Sequence, residues 1–170
     1  MDLQEALSGA IAYEHKIRDY YAACAKKVTD AKGQRIFAIL AREEQGHVEY
    51  LETRLAEWKA GGVVTVAELS TLLPPAAWVM EEASKLSSQG QGTRTVSQAE
   101  IDFMKEALEL ERQTSAFYAE LVAKLEPKYR DLFERFLEIE NGHLAIVQAE
   151  IDALAGHGHW FDFMEFSLEQ

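Results

Sequence analysis

The stretch Ala41-Arg-Glu-Glu-Gln-Gly-His47 decides the fold, because it places polar side chains on a helix face that is otherwise apolar. Residues three or four apart lie on one face of a helix, so Glu44 and His47 point the same way. Leu40 and Leu51 continue that face on either side at helical spacing. A buried carboxylate without a partner is costly, so either a metal ion or a hydrogen-bond network must compensate it. One Glu-x-x-His is expected by chance in so acidic a chain, so the argument depends on what else repeats.

Length and charge limit the classes of function. A chain of 170 residues is most simply one domain, large enough to bury a full core. The net charge of −12 argues against nucleic acid or an anionic membrane as a partner. Cys24 is the only cysteine, which excludes an intramolecular disulfide and a four-cysteine iron site. With no leader and no long apolar run in the sequence, we expect a cytoplasmic protein.

The pattern of helix signals predicts four long amphipathic helices. The inward face of the first helix steps by three and four residues, as in a helical bundle, and Glu14 is its one charged member. The signals that begin and end the helices are the capping box Asp2–Glu5, the N-cap Asp30, the stop Gly61-Gly62, the capping box Ser97–Glu100, Pro127 in a first turn and Gly156 at the last end.

Residues 61–97 form a long connection between the second and third bundle helices. It contains a further capping box at Thr65–Glu68, a short helix from Pro74-Pro75 to about Leu86 and a flexible loop at Ser87–Thr93. Such a connection can cross the whole length of a bundle, so the two helices need not be antiparallel neighbours. We therefore predict an all-α four-helix bundle over residues 1–156 with a long helical crossover. The aromatic tail 157–170 (Trp160, Phe161, Phe163 and Phe166) should pack back onto the bundle.

The polar residues of this face occur twice in the chain. Glu14 and Tyr21 return 97 residues later, and Phe37, Glu44 and His47 return 96 residues later; the second set is Glu111, Tyr118, Phe133, Glu140 and His143. An internal duplication should be looked for before other interpretations of a pattern are considered. At 1.5 Å per residue, each glutamate and each Glu-x-x-His lies roughly 22–26 Å from the turn of its helical hairpin. The geometry therefore brings four carboxylates and two imidazoles to one height.

Two divalent cations would neutralise these six groups. Mixed oxygen and imidazole donors suit iron, manganese or zinc. A metal-free hydrogen-bonded network is disfavoured, because four converging carboxylates repel one another unless protonated. Gly46 and Gly142, each just before a histidine, suggest close approach of a neighbouring helix.

Other polar residues have alternative interpretations. Tyr21 and Tyr118 are either donors that orient the carboxylates or core aromatics whose hydroxyls are satisfied elsewhere. Glu43 and Glu109 flank the site residues on other helix faces and are expected in solvent. A His157/His159 pair could bind a metal, although a helix cap or an exposed tail is the simpler interpretation.

The set Glu14, Glu44-x-x-His47, Glu111 and Glu140-x-x-His143 resembles the ferritin-like di-iron carboxylate proteins, and their rubrerythrin branch in particular. The resemblance implies a ferritin-like bundle holding two iron ions, with manganese or zinc as possible substitutes. It implies that Glu44 and Glu140 bridge the metals, that Glu14 and Glu111 are terminal ligands, and that His47 and His143 give one nitrogen to each.

Two departures from the rubrerythrin pattern matter. Thr114 stands where rubrerythrins carry an additional carboxylate, one turn after Glu111, which weakens the case for their peroxidase cycle. The sequence also has no rubredoxin domain, so electrons would come from an external donor such as a rubredoxin-like protein.

The resemblance implies an oxidoreductase that reduces hydrogen peroxide or dioxygen. The alternatives are an iron-handling protein of ferroxidase type without steady turnover and a dimanganese catalase-like site. We further predict a homodimer, formed by helix exchange through the loop near Gly90 and Gly92.

Overall fold

The computed structural model describes residues 2–65, 69–87, 97–157, 160, 161 and 163, with the side chains of residues 86, 87 and 157 left aside. Its helices are α1 (Leu3–Lys27), α2 (Ala31–Gly61), α3 (Ala76–Ser87), α4 (Gln98–Lys124) and α5 (Pro127–His157). The four long ones form the bundle, and α3 lies in the crossover and packs on α5. The fold is the predicted all-α, ferritin-like bundle. No helix within the described residues is long and apolar enough to cross a membrane.

The helix boundaries follow the local signals in the sequence. Asp2 and Ser97 each form a complete capping box, and the Asp30 side chain accepts from the first free N–H groups of α2. Gly62 ends α2 in the left-handed conformation at a φ of 67°, which glycine adopts without steric cost. Pro127 is the first residue of α5. These boundaries were all predicted.

The crossover joins two parallel helices. The α1–α4 pair is antiparallel, because Tyr21 of α1 meets Glu111 of α4 while Glu14 of α1 meets Tyr118. Since α2 is antiparallel to α1, it runs parallel to α4, and the chain must return the whole length of the bundle between them. At the end of that return, Glu100 accepts from the backbone N–H groups of the α1–α2 turn at 3.3 Å. This confirms that the second and third long helices are not antiparallel neighbours.

Parts of the crossover prediction lie outside the described residues. The predicted capping box at Thr65–Glu68 includes residues 66–68, and the predicted loop includes residues 88–93 with Gly90 and Gly92. The short helix of the crossover is present as α3, one or two residues later than its predicted start.

The core consists of two apolar clusters with a polar layer between them. One cluster includes Ile17, Phe37 and Val147 and lies toward the α1–α2 turn. The other includes Leu7 and Phe133 and lies toward the opposite end. The duplicated glutamates and histidines fall between the two clusters along every long helix. The bundle therefore holds them at one level, away from solvent.

Three tail residues pack into the first cluster. Trp160, Phe161 and Phe163 are buried, and the Trp160 ring meets Phe37 with ring centroids 5.9 Å apart. Gly33 makes room for this contact, because a Cβ there would lie 2.4 Å from the Trp160 ring. His159 and Phe166 lie outside the described part of the chain.

Candidate metal centre

Six polar side chains from four helices meet in the layer between the two apolar clusters. Each is at most 1% exposed: Glu14 from α1, Glu44 and His47 from α2, Glu111 from α4, and Glu140 and His143 from α5. Each helix presents its apolar stripe to the bundle axis, and these residues continue that stripe at the same spacing. The structure thus brings together all six residues that the sequence singles out.

The six residues form two overlapping groups of four. Glu14, Glu44, His47 and Glu140 each offer a donor atom within 4.8 Å of the others, and so do Glu44, Glu111, Glu140 and His143. Glu44 and Glu140 belong to both groups, whereas each group has its own histidine and one further glutamate, Glu14 or Glu111. This is the arrangement that two bridged metal ions require.

The histidine rings turn the same nitrogen inward. Nδ1 of His47 lies 2.9 Å from Glu44 and 3.2 Å from Glu14, and Nδ1 of His143 lies 2.8 Å from Glu44. The two rings are parallel, with centroids 5.4 Å apart. One nitrogen per group therefore faces the carboxylates.

Many side-chain oxygen and nitrogen atoms of this layer, all of them able to bind a metal, have no hydrogen-bond partner within the described part of the chain. They include both carboxylate oxygens of Glu44 and of Glu140, one oxygen of Glu111, Nε2 of both histidines and Nδ1 of His143. Several of these atoms approach one another closely, yet their directions do not suit hydrogen bonds. Buried polar groups are normally satisfied, so this concentration of unpaired atoms fits donors aimed at shared cations. The residues present thus fit a pair of metal ions with oxygen and imidazole ligands.

Two tyrosines hold the terminal glutamates across the bundle. The Tyr21 hydroxyl donates to Oε1 of Glu111, and the Tyr118 hydroxyl donates to Oε1 of Glu14. Both rings are fully buried. The structure thus selects the first of the two interpretations open at the sequence level, that of donors to the site carboxylates. Each tyrosine serves the glutamate of the other half.

The metal-free layer retains protons that a cation would displace. Burial raises the pKa of Glu14 and of Glu111 to about 7. Burial, together with the charges of Glu14, Glu44 and Glu111, raises the pKa of Glu140 well above its usual range. Burial also opposes the charge on Glu44, but His143 and His47 outweigh it and lower the pKa of Glu44. Glu44 is therefore the carboxylate that stays ionised when metal is absent.

The histidines and tyrosines respond to the same carboxylates. Burial lowers the pKa of both histidines, but Glu44 more than compensates, so the pKa of His47 and of His143 is raised. Burial and the nearby glutamates raise the pKa of Tyr21 and Tyr118 well above 10, which keeps both hydroxyls protonated. Because metal ligands must be deprotonated, cation binding at this layer must release protons.

Neither half carries a carboxylate one turn after its first glutamate: Thr114 follows Glu111, and Ile17 follows Glu14. Thr114 is buried, and its hydroxyl donates to the carbonyl of Leu110 at 3.1 Å. Its counterpart 97 residues earlier is Ile17, a core residue. The two groups of donors therefore have the same composition.

The expectation that Glu43 is exposed is wrong. Glu43 is 8% exposed and accepts from the Thr71 hydroxyl at 2.6 Å and from the Leu72 N–H at 3.1 Å. The crossover covers this face of α2, and the sequence alone did not indicate which face it would cover. Glu109 is exposed as predicted.

The expectation about Gly46 and Gly142 is also wrong. A Cβ at Gly46 would meet nothing within 4 Å, and one at Gly142 would meet only the Pro74 carbonyl at 3.9 Å. Neither glycine allows a close helix approach. Instead, Gly46 lines a cleft that reaches His47, and Gly142 lines a second cleft that reaches His143. Residues of the crossover border both clefts.

The profile of the Rubrerythrin family matches residues 5–151, which include all six converging residues. No curated protein and no solved structure gave a match.

Proposed function

Because the chain belongs to the rubrerythrin family, we propose that it is a non-haem di-iron oxidoreductase that reduces hydrogen peroxide or dioxygen. The observation that carries this proposal is the pair of overlapping donor groups that share Glu44 and Glu140. Electrons would come from a separate donor, for which a rubredoxin-like protein is the family's precedent. A homodimer remains a prediction that light scattering can test.

The donor set defines what each residue would do. Glu44 and Glu140 would bridge the two irons, Glu14 and Glu111 would each hold one, and each histidine would give one Nδ1 nitrogen. When bound, the irons would supply the exchange of electrons with the oxidant. Because Glu44 and Glu140 belong to both groups, four residues would hold each ion, which would leave room for a small molecule.

The other residues of the layer would orient the ligands and exclude water. The Tyr21 and Tyr118 hydroxyls fix the orientation of the terminal carboxylates, as such outer donors usually do. Each hydroxyl donates its proton to a carboxylate oxygen, which is the basis for assigning the tyrosines an orienting role. The two clefts that reach His47 and His143 give a small oxidant and its protons a route from solvent.

One observation favours a second function, iron oxidation without steady turnover. Rubrerythrins typically use an additional carboxylate at the position of Thr114, whose hydroxyl here is occupied by a backbone carbonyl. In a site without that carboxylate, dioxygen or hydrogen peroxide could still oxidise the ferrous iron once per loading. The iron would then be cargo and not a resident cofactor.

The test is peroxide consumption by the iron-loaded protein with and without a reductant. The proposal predicts many peroxide molecules consumed per protein when reductant is present and about one per iron pair when it is absent. Consumption that stays stoichiometric with reductant would establish the second function. Consumption of many peroxide molecules per protein without any reductant would point to catalase-type dismutation.

The matched variants Glu44→Ala and Glu140→Ala should each abolish binding of the metal pair, and elemental analysis would show this directly. If both variants retain two irons, the bridging assignment is wrong. Glu109→Ala, on the exposed face of α4, is the control and should bind as the unchanged protein does.

A further inference from the structure

We propose that Glu43 is a positioning residue that accepts the outer N–H of both site histidines, directly or through one water, and ties them to the crossover. This rests on the proposed metal site, and it adds a residue that the metal-ligand pattern does not contain. It also makes the crossover a part of the site and not only a connection.

The first argument is proximity. A carboxylate oxygen of Glu43 and one ring nitrogen from each of His47 and His143 lie within 4.8 Å of one another, and all three residues are buried. Both Nδ1 atoms face Glu44 at 2.8–2.9 Å. Nε2, on the other edge of each ring, is therefore the nitrogen left to meet Glu43. A separation of this size is spanned by a small side-chain rotation or by a single bridging water.

The second argument is chemical need. A histidine that binds metal through one nitrogen almost always donates its other N–H to a carboxylate, a carbonyl or water, and this fixes its tautomer and its ring orientation. Nε2 of His47 and Nε2 of His143 have no hydrogen-bond partner in the part of the chain that the structure describes. Glu43 supplies an acceptor at the right place.

The third argument is the capacity of the carboxylate. One oxygen of Glu43 accepts from the Thr71 hydroxyl and the other from the Leu72 N–H. A carboxylate has about four acceptor positions, so two remain for the two imidazoles. The counterpart of Glu43 in the second half is Ile139, which is apolar and buried. A single carboxylate therefore serves both rings, which stack in parallel beside it.

The consequence is a coupling between the metal site and the crossover. Metal binding fixes the histidine rings, and fixed rings hold Glu43 in the orientation that receives Thr71 and Leu72. Coupling between two sites is reciprocal. The crossover should therefore be more protected from exchange when metal is bound, and loosening the crossover should weaken metal binding.

The test compares Glu43→Gln with Glu49→Gln in metal-depleted, full-length protein. Both changes remove one negative charge from α2 beside the same cleft, but Glu49 is exposed and its side chain accepts a hydrogen bond from Gln45. Cobalt(II) is the probe, with affinity measured by spectroscopic titration, so the assay needs no turnover. Removing such an outer partner typically costs 10–100-fold in affinity. We expect a loss of about that size for Glu43→Gln and less than about twofold for Glu49→Gln.

Two further readouts separate positioning from simple structural support. In the cobalt(II) protein, the exchangeable proton on each imidazole should give a shifted resonance that exchanges with solvent faster in Glu43→Gln. In hydrogen exchange, metal should protect the Leu72 amide in the unchanged protein and much less in the variant. Thr71→Val removes the hydroxyl that donates to Glu43 from the crossover, and it should weaken cobalt(II) binding by a smaller factor.

The proposal is overturned if Glu43→Gln binds two cobalt ions with unchanged affinity and unchanged imidazole exchange, even if Leu72 exchanges faster without metal. That result would leave Glu43 as a support for the crossover alone and would leave the proposed di-iron site intact. A chain that binds two cobalt ions in a Glu43-dependent manner but turns over no peroxide would retract the proposed activity and keep this inference.

Discussion

The two helical hairpins, α1–α2 and α4–α5, agree in the glutamates, histidines and tyrosines of the polar layer and differ in residues that contact the crossover or the tail. Both hairpins contain the glutamate, the tyrosine, the Glu-x-x-His and the glycine directly before its histidine. Glu43 of α2, in contrast, corresponds to Ile139 of α5, and Gly33, which seats Trp160, corresponds to Tyr129. The duplicated positions build the metal layer, and the unmatched positions attach single-copy segments to it.

The tyrosine bonds show why the duplication matters. Tyr21 bonds to Glu111 and Tyr118 bonds to Glu14, so each hairpin completes the other. Neither hairpin alone contains a group of four donors with its orienting hydroxyl. Matched substitutions in the two halves therefore test how far the halves are equivalent.

The largest expected effect separates Glu44 from Glu140, the two carboxylates shared by both groups, in metal-free protein. Glu44 is ionised and faces both imidazoles, whereas the pKa of Glu140 is raised by burial and by three neighbouring glutamates. Glu44→Gln removes the charge that compensates the histidines, and breaking a buried pair in this way costs about 3–5 kcal/mol. Glu140→Gln replaces a protonated acid with a neutral group of the same shape and should leave stability nearly unchanged.

Urea unfolding of both variants after metal removal measures this difference. Equal destabilisation would show that Glu44 and Glu140 are ionised to a similar extent in metal-free protein. The two halves would then be equivalent in charge as well as in sequence.

The next effect is the pH dependence of stability, which should have opposite signs with and without metal. The pKa of Glu14, Glu111, Glu140 and both site histidines is raised in the folded protein. A raised folded pKa means that the folded state holds protons more tightly, so the free energy of unfolding falls as pH rises. For Glu14 and Glu111 this fall extends from about 4.5, the ordinary value, to about 7.

Glu44 has a lowered pKa, so its contribution is lost only below its ordinary value of 4.5, outside this window. Metal-free protein should thus lose stability between about pH 5 and 7, while metal-bound protein gains it because cations must displace those protons. Thermal unfolding across this range, with chelator and with excess cobalt(II), checks both signs. Parallel trends in the two series would contradict the assignment of the protons to this layer.

A smaller effect comes from the tyrosine pair. Tyr21→Phe removes the donor to Glu111, and Tyr118→Phe removes the donor to Glu14. A hydrogen bond to a charged group contributes about 1.5–3 kcal/mol, so each variant should lose roughly tenfold or more in affinity at one metal position. Cobalt(II) titration should show one weakened site and one unchanged site in each. Unequal losses would show that the two hairpins are not equivalent.

Local and periodic signals were enough to predict the bundle and the converging residues. Capping boxes at Asp2 and Ser97 depend on three-residue spacing, and the inward stripes depend on helical spacing. Both spacings can be recognised from the sequence alone. The equal distances of Glu14 and Glu44 from their hairpin turn then fixed the level at which they meet.

What the sequence did not predict depends on the path of the crossover. Glu43 was expected in solvent because its helix face points away from the bundle axis. Its burial follows from Thr71 and Leu72 lying across that face, a contact between segments with no periodic relation. Gly46 was misinterpreted for the same reason, because a glycine beside a cleft and a glycine under a neighbouring helix have the same sequence pattern.

The smallest expected effect concerns that glycine. Gly46 lies in mid-helix with open space where its Cβ would be. Alanine there should raise the free energy of unfolding by about 0.5–1 kcal/mol, because it reduces the freedom of the unfolded chain without meeting any atom. Gly142→Ala is the matched variant and should gain about as much, since a Cβ there would make only an ordinary van der Waals contact with the Pro74 carbonyl at 3.9 Å.

A larger substitution at Gly46 tests whether the cleft at His47 serves the site. Gly46 lies one turn after Glu43 on the same helix face, and both line the cleft that reaches His47, so a side chain added at Gly46 projects toward that cleft. A larger side chain, as in Gly46→Leu, should slow cobalt(II) uptake measured by stopped flow while leaving the final stoichiometry at two. If uptake is unchanged and only stability rises, then this glycine has no role in access. The cleft at His143, bordered by the crossover on its other side, would then be the remaining route.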